Sequence, residues 1–373
     1  MNNNERAYWL AWSLIPGVGS LTLKRIQKHF HTLAEAWAAS PRNLAEIEGI
    51  GEKMVKRIME VRSQIDPEKL LEEHQQKNPH FWTPVDPEYP QLLREIPNPP
   101  AILYYQGQVK LEENQGITPM IAIVGTREHT EHGKRWTRKI SVALAQHNFT
   151  VVSGMAAGID GIAHRSCLDA GGRTIAVVGT GLDVVYPREH AKLYEQIQEQ
   201  GLILSEYPAG TQPHRHNFPQ RNRIIAALSQ GILVMEAPEK SGALITARYG
   251  KEFSREVYSL PNSPDNLKSR GCLRLLHDGA EIIIEEGELL KKLGATQKLE
   301  LKEELSSQPN PIESLKLAPD LAEVMGAIAS SPIPFDLIVQ QTGKEAGIVS
   351  SILLQLELLG LISQLPGMRY QRN

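Results

Sequence analysis

Four glycine-rich turns carry hydroxyls or cations beside them: Gly125-Thr126-Arg127, Ser153-Gly154-Met155-Ala156-Ala157-Gly158-Ile159-Asp160, Gly179-Thr180-Gly181 and Lys240-Ser241-Gly242-Ala243. Glycine lets backbone N–H groups approach an anion closely, and a helix starting at such a turn adds a favourable field. A fifth stretch, Asn217-Phe218-Pro219-Gln220-Arg221-Asn222-Arg223, sets Arg221 and Arg223 just beyond Pro219, which marks a helix start. Cations in a first turn oppose the helix dipole, at roughly 0.3–1 kcal/mol each, and an external anion between them offsets that cost. Arginine clusters beside glycine turns suit bidentate contacts to phosphate. Two plainer readings stand beside this one. Glycine serves tight turns in general, and Glu206 and Glu236, which also follow apolar runs, are available as internal partners for the cations.

Other constellations carry less. Asp160 and His164 are four apart on one helix face, but spacing supplies no third ligand, and an aspartate in a first turn is favourable by itself. His214-x-His216 is too thin for a metal and reads as polar contacts near Arg221. Neither a P-loop nor a dinucleotide fingerprint after the first strand is present. No nucleophile–base–acid set emerges, so no catalytic residue, metal site or cofactor is expected.

The elements that must position these residues are apolar runs: 121–124, 150–152, 175–178, 202–204 and 232–235, with shorter ones at 257–260 and 282–284. Amphipathic patterns such as 133–147 and 159–170 lie between them. Short continuous strands alternating with helices imply βαβ units and a parallel sheet covered on both faces. In such sheets ligands bind where strands turn into helices. Ahead of this domain, residues up to about Asp66 read as short helices joined by glycine turns. Ile15-Pro16-Gly17-Val18-Gly19 and Glu48-Gly49-Ile50-Gly51 each precede a helix bearing Lys or Arg. That is a helix-hairpin-helix pattern, used either on DNA phosphates or only for packing. The Pro-rich stretch 83–100 reads as a connector. After a charged, Pro-containing linker, three helical patterns (321–329, 335–341, 347–361) and a ribbon suggest a winged helix. Its candidate recognition helix, Lys344–Leu361, carries one Lys and no Arg, which favours a docking or structural role over DNA reading. The expected division is 1–70, a helix-hairpin-helix/SAM-like module; 71–115, a connecting segment; 116–291, an extended Rossmann-like domain; 292–317, a linker; and 318–373, a winged helix.

Composition sets outer bounds. In 373 residues, 40 Lys plus Arg face 43 Asp plus Glu, a net charge of −3, so any basic surface must be local. Cys167 and Cys272 cannot build a disulfide framework or a Cys-based zinc site, which fits a reducing, cytoplasmic setting. The N-terminus lacks a signal-peptide pattern, and the apolar runs fall far short of the ~18 residues of a membrane span.

Taken together, these residues resemble the DprA/Smf DNA-processing family. The matching stretches, in order, are Ile123-Val-Gly-Thr-Arg, Val152-Ser-Gly-Met-Ala-Ala-Gly-Ile-Asp with Ala163-His164, and Gly172-Arg-Thr-Ile-Ala-Val-Val-Gly-Thr-Gly-Leu-Asp with Tyr186-Pro187. Leu204-Ser-Glu-Tyr-Pro, Phe218-Pro-Gln-Arg-Asn-Arg-Ile-Ile and Glu236-Ala-Pro-Glu-Lys-Ser-Gly-Ala-Leu-Ile-Thr-Ala follow. The resemblance implies a homodimer that binds single-stranded DNA, protects incoming strands in natural transformation and loads RecA recombinase on strands coated by single-strand binding protein. Carried over by motif, Gly125, Thr126, Arg127, Ser153, Gly154, Arg221, Asn222, Arg223, Lys240, Ser241 and Gly242 are its DNA-binding residues. Thr126 stands where the family has Ser. Pro261-Asn262 and Ser254 depart from the family's Pro-Gly and Gly, toward the expected dimer surface. Phe218 could also stack a base. Two competing readings are a base–ribose hydrolase of small nucleotides, for which Glu236 is the one candidate carboxylate, and a partner-docking adaptor acting through the winged helix.

Overall fold

The computed structural model describes residues 3–294, 319–328, 333–358, 361–365 and 369–372. The chain divides into two compact units, 1–296 and 297–373.

In the first unit, every apolar run noted above contributes to one nine-stranded sheet. The strands are β1 (Phe81–Trp82), β2 (Leu103–Gly107), β3 (Met120–Gly125), β4 (Thr150–Ser153), β5 (Arg173–Val178), β6 (Leu202–Ser205), β7 (Gly231–Glu236), β8 (Glu256–Ser259) and β9 (Glu281–Ile282). Their order is β1-β2-β6-β5-β4-β3-β7-β8-β9, parallel from β6 to β9, with β1 and β2 antiparallel at one edge. Central strands such as β3, β5 and β7 are buried nearly end to end because helices cover both faces. The chain steps outward from β3 to β6, then returns to lay β7 on the other side of β3. This reversal is the switch point at which parallel sheets open a crevice beyond their strand ends.

Packed against the sheet are α9 (Glu131–Gln146), α10 (Ile159–Asp169), α11 (Ala191–Gln200), α12 (Asn217–Leu228), α13 (Gly242–Glu252) and α15 (Glu286–Lys292); α7 (Gln91–Glu95) and α8 (Leu111–Asn114) precede β3, and α14 (Arg270–His277) follows β8. Ile224, Ile225, Ala226 and Leu228 seal one face of the sheet; Ile140, Leu144, Ile159 and Ala163 seal the other.

The segment 83–100 is more than a connector. Tyr89 is fully buried, its hydroxyl donates to Pro100 O at 2.9 Å, and Leu93 and Ile96 join the main core. Its prolines end short elements but do not keep it off the sheet: β1 and β2 bracket it. The N-terminal module consists of α1 (Asn3–Ser13), α2 (Ser20–His29), α3 (Leu33–Ala38), α4 (Pro41–Ala45), α5 (Glu52–Arg62) and α6 (Pro67–Lys77) around its own core of Trp12, Leu23, Ile26, Leu44 and Ile58. Its two glycine turns are cross-braced: Arg25 donates to Glu48 O and Arg57 to Pro16 O, both at 3.2 Å.

The second unit has helices Pro319–Gly326, Phe335–Thr342 and Ala346–Leu358 and a three-stranded antiparallel sheet in which Arg369–Arg372 lies between Ile333–Pro334 and Ile362–Leu365. Val324, Ile338, Val349, Leu353 and Leu356 form its core. This is the winged helix, with one short strand beyond the expected ribbon. The expected linker lies outside the described residues apart from 292–294, as does the ribbon's turn at 366–368. Among the described residues, no helix is long and apolar enough to cross a membrane.

Candidate nucleic-acid interface

Beyond the carboxyl ends of β3, β4 and β7 lies an open crevice of two adjoining lobes, about 690 and 560 Å³, which share Arg127, Tyr186, Phe218 and Arg221. Three turns build it. The turn after β3 presents Gly125, Thr126 and Arg127; a register shift between Val124 and Gly125 lets Thr126 N donate to Glu236 O at 2.7 Å. The turn after β4 packs directly on it. Gly158, at φ +82°, has no room for a Cβ because the carbonyls of Thr126 and Arg127 lie against it. After β7, Lys240, Ser241 and Gly242 open α13, with Ser241 Oγ capping Ala243 N at 3.3 Å.

Arg221 is the buried centre of the site. It is 3% exposed and lines both lobes, and one terminal nitrogen donates to Val177 O. Its guanidinium lies so close over Gly154 that any side chain there would collide with it. Its Nε has no hydrogen-bond partner. An orphaned, buried guanidinium N–H is costly, and a ligand atom would satisfy it. Burial lowers the Arg221 pKa to about 10, against the support of the nearby Asp160 carboxylate. Burial in turn raises the Asp160 pKa, opposed by Arg221 and by the amides of Ala156 and Gly154. Those amides donate to Asp160 at 3.4 and 3.2 Å, so the aspartate holds the β4 turn in shape.

Of the eleven residues expected to bind, nine line the crevice: Gly125, Thr126, Arg127, Gly154, Arg221, Asn222, Lys240, Ser241 and Gly242. Ser153 does not; it is fully buried and its Oγ donates to Ile123 O at 2.6 Å, tying β4 to β3. Nor does Arg223. It forms a bidentate pair with Glu206 at 2.6 and 2.8 Å and donates to Asn98 O at 3.1 Å. Burial works against its charge, but Glu206 outweighs burial and raises the pKa. The internal-partner reading therefore holds for Arg223. The reason is helical geometry: α12 starts at Asn217, two residues before Pro219, and residues two apart on a helix do not share a face. An anion held between the two arginines is thereby corrected.

The other candidates resolve as follows. Glu236 is fully buried and accepts from Thr130 N and Oγ1 at 2.7 and 2.8 Å, anchoring the N-terminus of α9. It does not line the crevice. His164 Nδ1 meets Thr174 Oγ1 at 2.6 Å; since that hydroxyl donates to Val151 O, the histidine carries its proton on Nδ1. Burial, His190 and Arg221 together push its pKa down to about 3. His214 and His216 face each other with ring centres 5.1 Å apart, and it is the intervening Arg215 that lines the crevice, a correction to the expected histidine contacts. Phe218 is half-buried, with Tyr186 at 5.4 Å and the Arg127 guanidinium 5.7 Å over its ring. Lys268, also on the crevice wall, had no signal in the sequence, because it arrives from beyond β8. Among the described residues, no cluster of His, Cys, Asp or Glu could hold a metal ion.

Comparison with known proteins agrees with this geometry. Residues 80–294 match the family described as DNA recombination-mediator protein A, 306–368 the DprA winged helix domain, and 13–61 the SAM-like helix-hairpin-helix tandem. Protein Smf of Synechocystis sp. is 53% identical, with 100% of both chains covered. The X-ray structure of DprA from Streptococcus pneumoniae superposes with a TM-score of 0.67 at 34% identity, covering 78% of this chain and 98% of that one. DNA processing protein A from Helicobacter pylori, described for its unique single-stranded DNA binding mode, superposes with a TM-score of 0.52 at 32% identity, covering 57% and 95%.

Proposed function

This chain belongs to the DprA/Smf family, and from that premise we propose that it is a non-catalytic single-stranded DNA-binding protein. The observation that carries this reading is the convergence of Arg127, Lys240 and the half-satisfied Arg221 on one open crevice at the switch point. Backbone phosphates take the guanidinium and ammonium donors and the amides of the glycine turns; phosphate contacts of this kind give affinity without reading sequence. Phe218 and Tyr186 offer faces for bases, as strand binders commonly do. The sites are those crevice residues, with Ser153 and Arg223 as supports of the wall.

In the cell, the role is DNA processing in natural transformation: the protein covers incoming strands in the cytoplasm, as a homodimer, and hands them to RecA recombinase in the presence of single-strand binding protein. Membership of the family supports this role. The burial of Glu236, whose two oxygens accept from Thr130 at the start of α9, supports this reading over the enzyme alternative.

The test is fluorescence anisotropy of a labelled single-stranded oligonucleotide, with a duplex control, over a salt series. Wild type should prefer the single strand. Arg127→Ala should weaken binding by about tenfold and flatten the log-affinity slope by about 0.7, one phosphate's worth. Binding indifferent to Arg127→Ala would remove the crevice from the DNA path.

A further inference from the structure

Helix α9 begins six residues beyond the last residue of β3, at the crevice mouth, and its charges run against expectation. Helices gain from cations near their C-termini. Here the last turn of α9 has none, while Lys134, Arg135, Arg138 and Lys139 all precede Ile140. Lys139 is accounted for: it pairs with Glu286 at 2.7 Å and lies 5.1 Å over the Trp136 ring. Lys134 reaches only Glu131, at 3.4 Å. Arg135 and Arg138 are exposed and, among the described residues, have no ion pair or side-chain hydrogen bond. They share a stripe with Glu131 and Lys134, since residues three and four apart stack on one helix face. That stripe borders a concavity of about 500 Å³ which also includes His132, whose Nε2 is shielded and unpartnered.

We propose that this stripe is a second backbone-phosphate site, over which the same single strand continues after leaving the crevice past Arg127. Arg135 and Arg138 sit about 6 and 10 Å along the axis from the start of α9, so a strand running outward meets them in turn. A polyanion offsets the like-charge repulsion that Arg135 and Arg138, three apart, and Lys134 and Arg138, four apart, exert along one face of the helix. Charge complementarity and continuity with the crevice select the strand itself as the occupant in a chain whose overall charge is −3. The inference rests on the crevice being a single-strand site.

The experiment compares oligothymidylates of about 5 and about 20 nucleotides, the first able to fill little more than one site. Full-length wild type, Arg135→Ala/Arg138→Ala, Arg135→Lys/Arg138→Lys and Arg127→Ala are titrated across salt. The alanine pair should bind the long strand about tenfold more weakly, with a slope flatter by about 1.4, and the short strand as wild type does. The lysine pair should keep the wild-type slope. Unchanged long-strand binding by the alanine pair, while Arg127→Ala weakens both lengths, would overturn the second site and leave the crevice standing. Equal loss on both lengths would also overturn it, by making the arginines part of the crevice. Arg127→Ala without effect at either length would bring down both readings together.

Discussion

The crevice at the switch point and the outward face of the helix Ala346–Leu358 are both surfaces that their folds could offer to nucleic acid, yet their charges are handled in opposite ways. Around the crevice, Arg127 and Lys240 stand exposed with no anionic partner among the described residues, and Arg221 keeps an unsatisfied N–H at 3% exposure. On the winged helix, the exposed residues Gly347, Ile348, Ser350, Ser351, Leu354 and Gln355 carry no charge. The lysine just before that helix, Lys344, is held by Asp320 at 2.8 Å and Glu323 at 3.1 Å. Charge left unpaired at some cost marks the surface that awaits an anion; charge satisfied internally marks structure. Arg223 is the control within α12 itself, two residues from Arg221 and fully paired.

The comparison breaks if internally paired charges prove to matter for binding. Removing the partner in Glu206→Ala should leave Arg223 buried with carbonyl acceptors but no counter-charge, costing about 3 kcal/mol in urea denaturation, while the folded fraction binds single strands as wild type does. A binding defect in protein shown to be folded would erase the distinction between the two arginines. Gly154→Ala tests the opposite side. Its new Cβ displaces the Arg221 guanidinium, so stability should fall by about 1–3 kcal/mol and affinity by about tenfold or more, a loss that salt titration separates from unfolding. An unaltered affinity would show that the position of Arg221 is immaterial.

A smaller effect comes from beneath the crevice. His164 has its pKa lowered from 6.5 to about 3, so it stays neutral when folded while the unfolded chain takes up a proton. The unfolded state then binds more protons between pH 6.5 and 3, and stability falls as pH drops through that window, by at most about 1.4 kcal/mol per unit. His164→Asn should flatten that part of the stability–pH curve; an unchanged slope would assign the acid sensitivity elsewhere. Smallest of all, Lys344→Ala should change single-strand affinity by less than about twofold, because its ammonium is already held by Asp320 and Glu323 in solvent-screened pairs. A larger loss would move the winged helix into the DNA path.

Much of this is legible in the amino-acid sequence. The apolar runs are strand-length and separated by helical periodicity, so the parallel sheet follows from burial on two faces. The turn residues Gly125–Arg127 and Lys240–Gly242 could be assigned to one sheet edge because parallel strands all end on the same side. The edge strands β1 and β2 were not legible: they are short, antiparallel and separated by prolines, so neither length nor alternation flagged them. Lys268 was invisible for a different reason, since only the packing of the chain beyond β8 brings it to the wall.

By itself the sequence determined the layers, the location of the glycine turns and the supply of cations near them, because those depend on local period and on chain direction. Tertiary structure alone decided which cations stayed available. Arg221 and Arg223 are chemically equal and two residues apart. The rotation of α12 turned one toward the crevice and Gly154, and the other toward Glu206. A carboxylate within hydrogen-bond reach satisfies a buried guanidinium, and where none is in reach the charge is left for a ligand.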